Sequence, residues 1–259
     1  MRDFHVHSNY SDGEFLRSMV RAAESADLEG VGVADHCNVA TREHHASMRS
    51  IYGFNLDLTY ERRRRGIDRL REEFDLAIYD AVEMDYDPRD EAAIETFLAE
   101  AGFDYAIGSV HDVDGQNVQV SSHFDTMSEA ERDAIVDAYF EQLVALVESE
   151  LFEIAAHVDL LERTPPLQGR ATDDHYRRVA RAFTESRTIP ELNAGRALSD
   201  AGVVHPSDRF LSVLREYDVA VTVGTDSHRP TEIPDRADFL ADFIAETGLE
   251  PVVPDGLER

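Results

Sequence analysis

Seven short apolar runs alternate with seven longer amphipathic stretches, and no other feature of the chain limits its fold as much. The runs, at residues 3–6, 30–34, 76–82, 103–110, 152–156, 188–192 and 219–223, have the length and composition of strands. Helical patterns occupy 15–27, 60–74, 90–101, 128–150, 173–187, 206–217 and 233–247, the first of them behind Ser11-Asp12-Gly13-Glu14, a capping arrangement. Strict alternation calls for crossover connections, hence parallel strands buried on both faces. Either an open doubly wound sheet or a closed barrel would satisfy this. The barrel is preferred because polar residues recur at the carboxyl ends of the strands, which a barrel gathers into one ring. The expectation is an α/β fold, a distorted seven-stranded (β/α)7 TIM-like barrel, with residues 1–259 as a single domain. No domain-sized linker, repeat or low-complexity tract interrupts it.

The strand ends carry the chemistry. The first run closes as Phe4-His5-Val6-His7, and alternate strand residues face one way, so both imidazoles can grip one cation. Asp12 follows, then Asp35-His36 after the second run, Glu83 at the end of the third and Ser109-Val110-His111 after the fourth. The fifth leads to His157-Val158-Asp159 and the seventh to Asp226-Ser227-His228. Six of the 11 histidines thus fall where a barrel places its active site. With one cysteine in the chain, imidazole and carboxylate donors point to zinc, manganese or iron, and a bridging glutamate would hold neighbouring cations close together. Ser11 and Asp12 also compete to cap the first helix, and Glu83 is chosen over Asp80, Asp85 and Asp87 for its place at the strand end. Asp35 and Asp159 are expected to orient neighbouring histidines. His44, His45, His123, His175 and His205 are read as surface residues, with His44 and His45 nearest to substrate. Arg62 to Arg65 are read as a solvated, ion-paired helix face, and Cys37 as a small buried apolar residue.

Charge narrows the partners. The chain has 53 acidic against 25 basic residues, a net −28, and every basic residue is Arg. Such a field repels nucleic acid, whose binding depends on neutralising phosphates, and small partners are expected instead. Self-repulsion at this charge is relieved by salt, so the surface reads as halophilic; codon bias in a GC-rich genome is the alternative. No apolar stretch approaches the roughly 20 residues of a membrane span and no signal segment opens the chain, so a soluble, cytoplasmic protein is expected.

Taken together, His5-Val-His7 with Ser11-Asp12-Gly13, Ala34-Asp35-His36, Glu83, Gly108-Ser-Val-His111, His157-Val-Asp159 and Asp226-Ser-His228 resemble the polymerase and histidinol phosphatase superfamily, the PHP proteins, over nearly the whole chain. The resemblance implies a distorted seven-stranded barrel with three divalent metal ions. It places His5, His7, Glu83 and Asp226 at one ion, Glu83, His111 and His157 at a second, and Asp12, His36 and His228 at a third. Clustered divalent cations attract anions, so the expected reaction is hydrolysis of a small phosphomonoester by a metal-bound hydroxide, with Asp226 or His228 as candidates to relay a proton to the leaving group. Arg163 and Arg196 lie near the ring and resemble the family's basic residues; a guanidinium fork binds phosphate oxygens in two places. The segment 108–111, Asn193 followed by Arg196, and His205-Pro-Ser look most like the histidinol phosphatase branch, so L-histidinol phosphate is the expected substrate. The segment 37–59, long for a loop, is expected to cover the site. A broad phosphoesterase acting on nucleotides or other small phosphate esters is the alternative, and a non-catalytic metal-binding regulatory module ranks lower because the ligand set is complete. An amidohydrolase-type barrel, which also begins with His-x-His, ranks lower still because it would use a carbamylated lysine and the chain has no Lys.

Overall fold

The computed structural model describes residues 1–53, 55–200 and 202–257. Its strands run β1 (Arg2–Val6), β2 (Gly30–Cys37), β3 (Ala77–Asp85), β4 (Tyr105–Ser109), β5 (Asp112–Val113), β6 (Gln116–Asn117), β7 (Ile154–Ala155), β8 (Ile189–Arg196), β9 (Val203–His205) and β10 (Thr222–Gly224). Its helices are α1 (Leu16–Ser25), α2 (Glu43–Tyr52), α3 (Tyr60–Arg71), α4 (Glu91–Ala101), α5 (Glu129–Glu148), α6 (Asp173–Thr184), α7 (Asp208–Glu216) and α8 (Glu232–Thr247). Seven parallel strands pair in the order β1-β2-β3-β4-β7-β8-β10, β9 lies antiparallel on β8, and β5 with β6 forms a separate hairpin. This is the expected distorted α/β barrel.

The sheet curls until its edges meet. Past β10 the Asp226 N–H donates to the His5 carbonyl (2.8 Å) and the His7 N–H to the Ser227 carbonyl (2.9 Å), with one parallel bridge between Val6 and Ser227. So short a main-chain seam is reinforced by a side chain: the buried Asp3 carboxylate accepts the Thr225 N–H at 2.9 Å and its hydroxyl at 2.6 Å. Burial raises the Asp3 carboxyl to about 6 in spite of these bonds.

Inside the barrel Phe4, Tyr79 and Tyr105 meet at ring-centroid distances of 5.8 to 6.1 Å, surrounded by Ala34, Ala81, Ile107 and Ile154. These rings fill the space only because β2 carries Gly32, where a Cβ would lie 1.6 Å from the Tyr105 hydroxyl. The Leu257 carbonyl accepts from Tyr79 (3.0 Å) and Arg2 (2.6 Å), covering the amino-terminal end of the barrel. Outside, α4 to α7 share the largest apolar cluster, and α1, α3 and α8 seal β1 and β2. Among the described residues no helix is long and apolar enough to cross a membrane.

Three local expectations are corrected. The segment 37–59 is not a bare loop: it holds α2 and a 3-10 turn at Leu56–Leu58, while Phe54 within it lies outside the described residues. Helix α1 is not capped by Ser11 to Glu14; its Leu16 N–H donates to Asn9 Oδ1 at 2.9 Å, because Ser11 is turned inward to Asp35. Nor are the four arginines of α3 a uniformly solvated face. Arg63 is fully buried, its terminal nitrogens donating to Asp35 (2.8 Å), Asp80 (2.7 Å) and the Ala81 carbonyl.

Replacing Asp3 with Ala should cost about 2–4 kcal/mol of stability by leaving the buried Thr225 donors unpaired, and Asp3→Asn, which keeps one acceptor, should cost less. Denaturant melts of the two variants test this ranking; equal losses would mean that the seam depends on both carboxylate oxygens or on the charge of Asp3, since Asn keeps its shape.

Candidate metal centre

Glu83 enters the barrel mouth from the end of β3 and is 1% exposed. Its Oε2 lies 3.4 Å from His5 Nε2, 3.5 Å from His7 Nε2 and 2.8 Å from His36 Nδ1. Its Oε1 accepts the Ser109 hydroxyl at 2.5 Å and lies 3.1 Å from His157 Nε2 and 3.5 Å from His111 Nε2. One carboxylate therefore faces five imidazoles brought together by four separate segments. His5 and His7 have their Nε2 atoms 3.1 Å apart, as alternation along β1 requires, and Asp226 Oδ1 is 3.3 Å from His7. On the solvent side Asp12 stands 3.3 Å from His228 Nε2, 3.7 Å from His36 Nε2 and 3.8 Å from His7 Nδ1.

Among the described residues three donor groups result: His5 with His7 and Glu83; His36 with Glu83 and His111; and His7 with Asp12, His36 and His228. Asp226 stands at the edge of the first group and His157 at the edge of the second. His7 and His36 each face two groups, an overlap the strand-end motifs could not specify.

The chemistry of this set fits divalent cations. Glu83 Oε2 is buried with three imidazole nitrogens close by, yet it makes no hydrogen bond of acceptable geometry; the atoms converge on shared points rather than on one another. Protons serve the cluster badly. Burial, with His228 and His36 nearby, pushes His7 down to about 4, and burial pushes His157 to about 4. For His5 and His36 burial acts in the same direction but is outweighed by carboxylates: Glu191 and Glu83 carry His5 well above the usual imidazole range, and Glu83 and Asp12 carry His36 to about 10. Adjacent rings thus prefer opposite protonation states, a conflict that a cation resolves.

Supporting contacts fix the rings. His5 Nδ1 is 2.8 Å from Glu191 Oε1, while Glu191 Oε2 accepts from the His157 N–H (3.2 Å) and from Asn193 (2.9 Å). Glu191 was not singled out from sequence; the only available signal was an acidic residue inside the sixth apolar run. Asp85, set aside as a rival of Glu83, holds His111 Nδ1 at 2.6 Å. Asp35 orients no histidine directly. It accepts from the Ser8 N–H, the Ser8 and Ser11 hydroxyls and Arg63, and reaches His7 only through Ser11. Asp159 does hold a histidine, but it is His205, at 2.6 Å. His205 and His175 are buried rather than superficial, and Cys37 is buried as expected.

Above the donors opens a cavity of about 710 Å³, lined by Asp12, His36, Glu83, His111, His157, Asp226 and His228 together with Arg163 and Arg196; His5 and His7 lie beneath it, closed to solvent. A smaller pocket of about 240 Å³ adjoins it at His36 and His111 and runs under α2, bringing His44 and His45 alongside.

The PHP domain profile matches residues 3–195. The chain belongs to the PHP domain family. A histidinol-phosphatase of Lactococcus lactis subsp. lactis (strain IL1403) is 26% identical to this PHP domain over 241 residues, 87% of this chain and 83% of the relative. The Lactococcus lactis histidinol phosphate phosphatase solved with zinc, L-histidinol and phosphate superposes with a TM-score of 0.76 at 21% identity, over 97% of this chain and 95% of that one. A crystal structure from Listeria monocytogenes, described as a candidate histidinol phosphatase, gives 0.75 at 17% identity, covering 90% and 97%. The PHP domain described here is an enzyme of the metal-dependent phosphatase class.

Because Glu191 fixes His5 from behind, Glu191→Gln should lower metal affinity about 10–100-fold. Chelator competition measures this, and unchanged affinity would remove Glu191 from the metal centre.

Proposed function

We propose that this PHP phosphatase hydrolyses a small phosphomonoester, L-histidinol phosphate, at a centre of three divalent ions. The observation that carries the reading is Glu83, a buried carboxylate facing five imidazoles beneath a cavity that also bears Arg163 and Arg196. In this reading His5, His7, Glu83 and Asp226 hold one ion, Glu83, His111 and His157 a second, and Asp12, His36 and His228 a third. His36 Nδ1 stands near enough to Glu83 to join the second as well. Nitrogen and oxygen donors accept zinc, manganese or iron. Bound divalent ions supply a lowered water pKa and neutralise phosphoryl charge.

The chain's own residues do the rest. Arg163 and Arg196 bind the phosphoryl oxygens from the cavity wall and orient the ester for in-line displacement. Asp226 and His228 are the two candidates for relaying a proton to the leaving group. His228 Nδ1 is engaged by the Asp226 carbonyl at 3.0 Å, so its free nitrogen, Nε2, is the one turned to Asp12 and is used up once it binds an ion. Asp226 is held well below the usual carboxylate range, its burial outweighed by the hydrogen bond with His7 and the charges of His5 and His228, so it stands ionised, a state suited to holding a cation and to passing a proton on rather than storing one.

Support for the leaving group comes from the relatives and from the smaller pocket. Its 240 Å³ suits a small ring, Met48 and Tyr52 offer apolar faces, and Asp85 and Asp112 offer carboxylates to a cationic amine. A broader phosphoesterase acting on nucleotides or other small phosphates is the second reading, favoured by the 710 Å³ of the main cavity. A net charge of −28 without lysine is read as adaptation to a saline cytoplasm.

In a metal-defined screen at high salt, L-histidinol phosphate should exceed a nucleoside monophosphate and an aryl phosphate by about tenfold or more in kcat/KM. Equal rates would favour the broader reading. The melting temperature should rise between about 0.1 M and 1 M salt, as the screening length falls from about 10 Å to about 3 Å. A flat response would overturn the halophilic reading.

A further inference from the structure

Arg163 ends a 3-10 turn, Leu160–Arg163, that follows β7. Its guanidinium is anchored unevenly. Nε donates to His205 Nε2 at 2.8 Å, whereas the terminal nitrogens have only long contacts: 3.3 Å to Gln119 Oε1, 3.4 Å to Asn193 Oδ1 and 3.6 Å to Asp226 Oδ2. A guanidinium has donors and no acceptor, so His205 Nε2 must accept, and the proton of the neutral ring sits on Nδ1. That proton points at Asp159 Oδ1, 2.6 Å away, and Asp159 Oδ2 accepts the Ser207 N–H at 2.8 Å. His205 and Asp159 are both closed to solvent. Antiparallel pairing of β9 with β8 sets His205 opposite Asn193, whose side-chain oxygen is one of the long contacts of Arg163.

We propose that Asp159 and His205 are positioning residues that act through Arg163, holding its terminal nitrogens toward the cavity as a phosphate fork. This rests on the phosphomonoester reading above. The physical reason for an intervening imidazole is competition. A carboxylate bound directly to the fork would occupy the nitrogens that a phosphoryl group needs. A neutral ring on Nε fixes the plane of the guanidinium and leaves NH1 and NH2 with weak partners that a phosphate can displace. The Asp159 charge lies one ring farther away, where it orients His205 without occupying the fork.

The test measures inorganic phosphate binding to the metal-loaded protein by calorimetry, alongside kcat and KM for an aryl phosphate. Arg163→Ala should weaken phosphate binding. His205→Ala should weaken it about 10- to 100-fold, the scale expected when a binding group is misplaced by about 1 Å, with metal content retained. Asp159→Asn should move it in the same direction by less. His205→Gln, which restores an amide oxygen for Nε, should recover part of the loss. In an Arg163→Ala background the His205 substitution should change phosphate binding less than about twofold, because its effect passes through Arg163. The proposal is overturned if Arg163→Ala leaves phosphate binding intact, if the two losses are additive, or if His205→Ala lowers only the melting temperature. Absence of turnover on any phosphomonoester would sink the functional reading instead, while the binding measurements would still decide the role of the pair.

Discussion

One buried carboxylate organises the mouth of this barrel. Glu83 offers each of its oxygens to a different set of rings, and those rings arrive from β1, β2 and the segments after β4 and β7. A charged group so enclosed is tolerable only if compensating charge sits beside it. The cluster is therefore a constraint on the fold as well as on the chemistry. The strands must end at matching heights and the seam between β1 and β10 must close, because His5, His7 and Asp226 lie on its two sides.

The seam shows how local polarity supports that closure. Beyond the ends of β1 and β10 the main chain provides few bonds, and Asp3 supplies acceptors for Thr225 directly behind the histidine pair. Arg63 plays a comparable part on the neighbouring strands. It draws Asp35 and Asp80 together in the interior, and Asp35 in turn fixes the Ser8 to Ser11 turn that leads to Asp12. Neither residue lines the cavity, yet each determines where a residue that does so can stand.

Much of this was legible in the sequence because parallel strands are buried on both faces and read as continuous apolar runs; the seven runs correspond to the seven barrel strands. What escaped was whatever leaves no periodic trace. Helix α2 buries none of its side chains, so it has no apolar stripe to betray it. Arg63 is one of four consecutive arginines, and only the rotation of α3 selects it for burial. Glu191 is one of 53 acidic residues, distinguished only by the contacts it makes after folding. His205 looked superficial because its partners, Asp159 and Arg163, lie more than 40 residues away in the chain.

The emptiness of α2 toward the core has an evolutionary reading. Its ten residues form one wall of the smaller pocket while contributing nothing to the packed interior, so they can drift without endangering folding. The donors below enjoy no such freedom, since each touches Glu83 or a neighbour of Glu83. Substitutions in the wall can accordingly reshape what the smaller pocket accepts while the barrel and its floor stay folded.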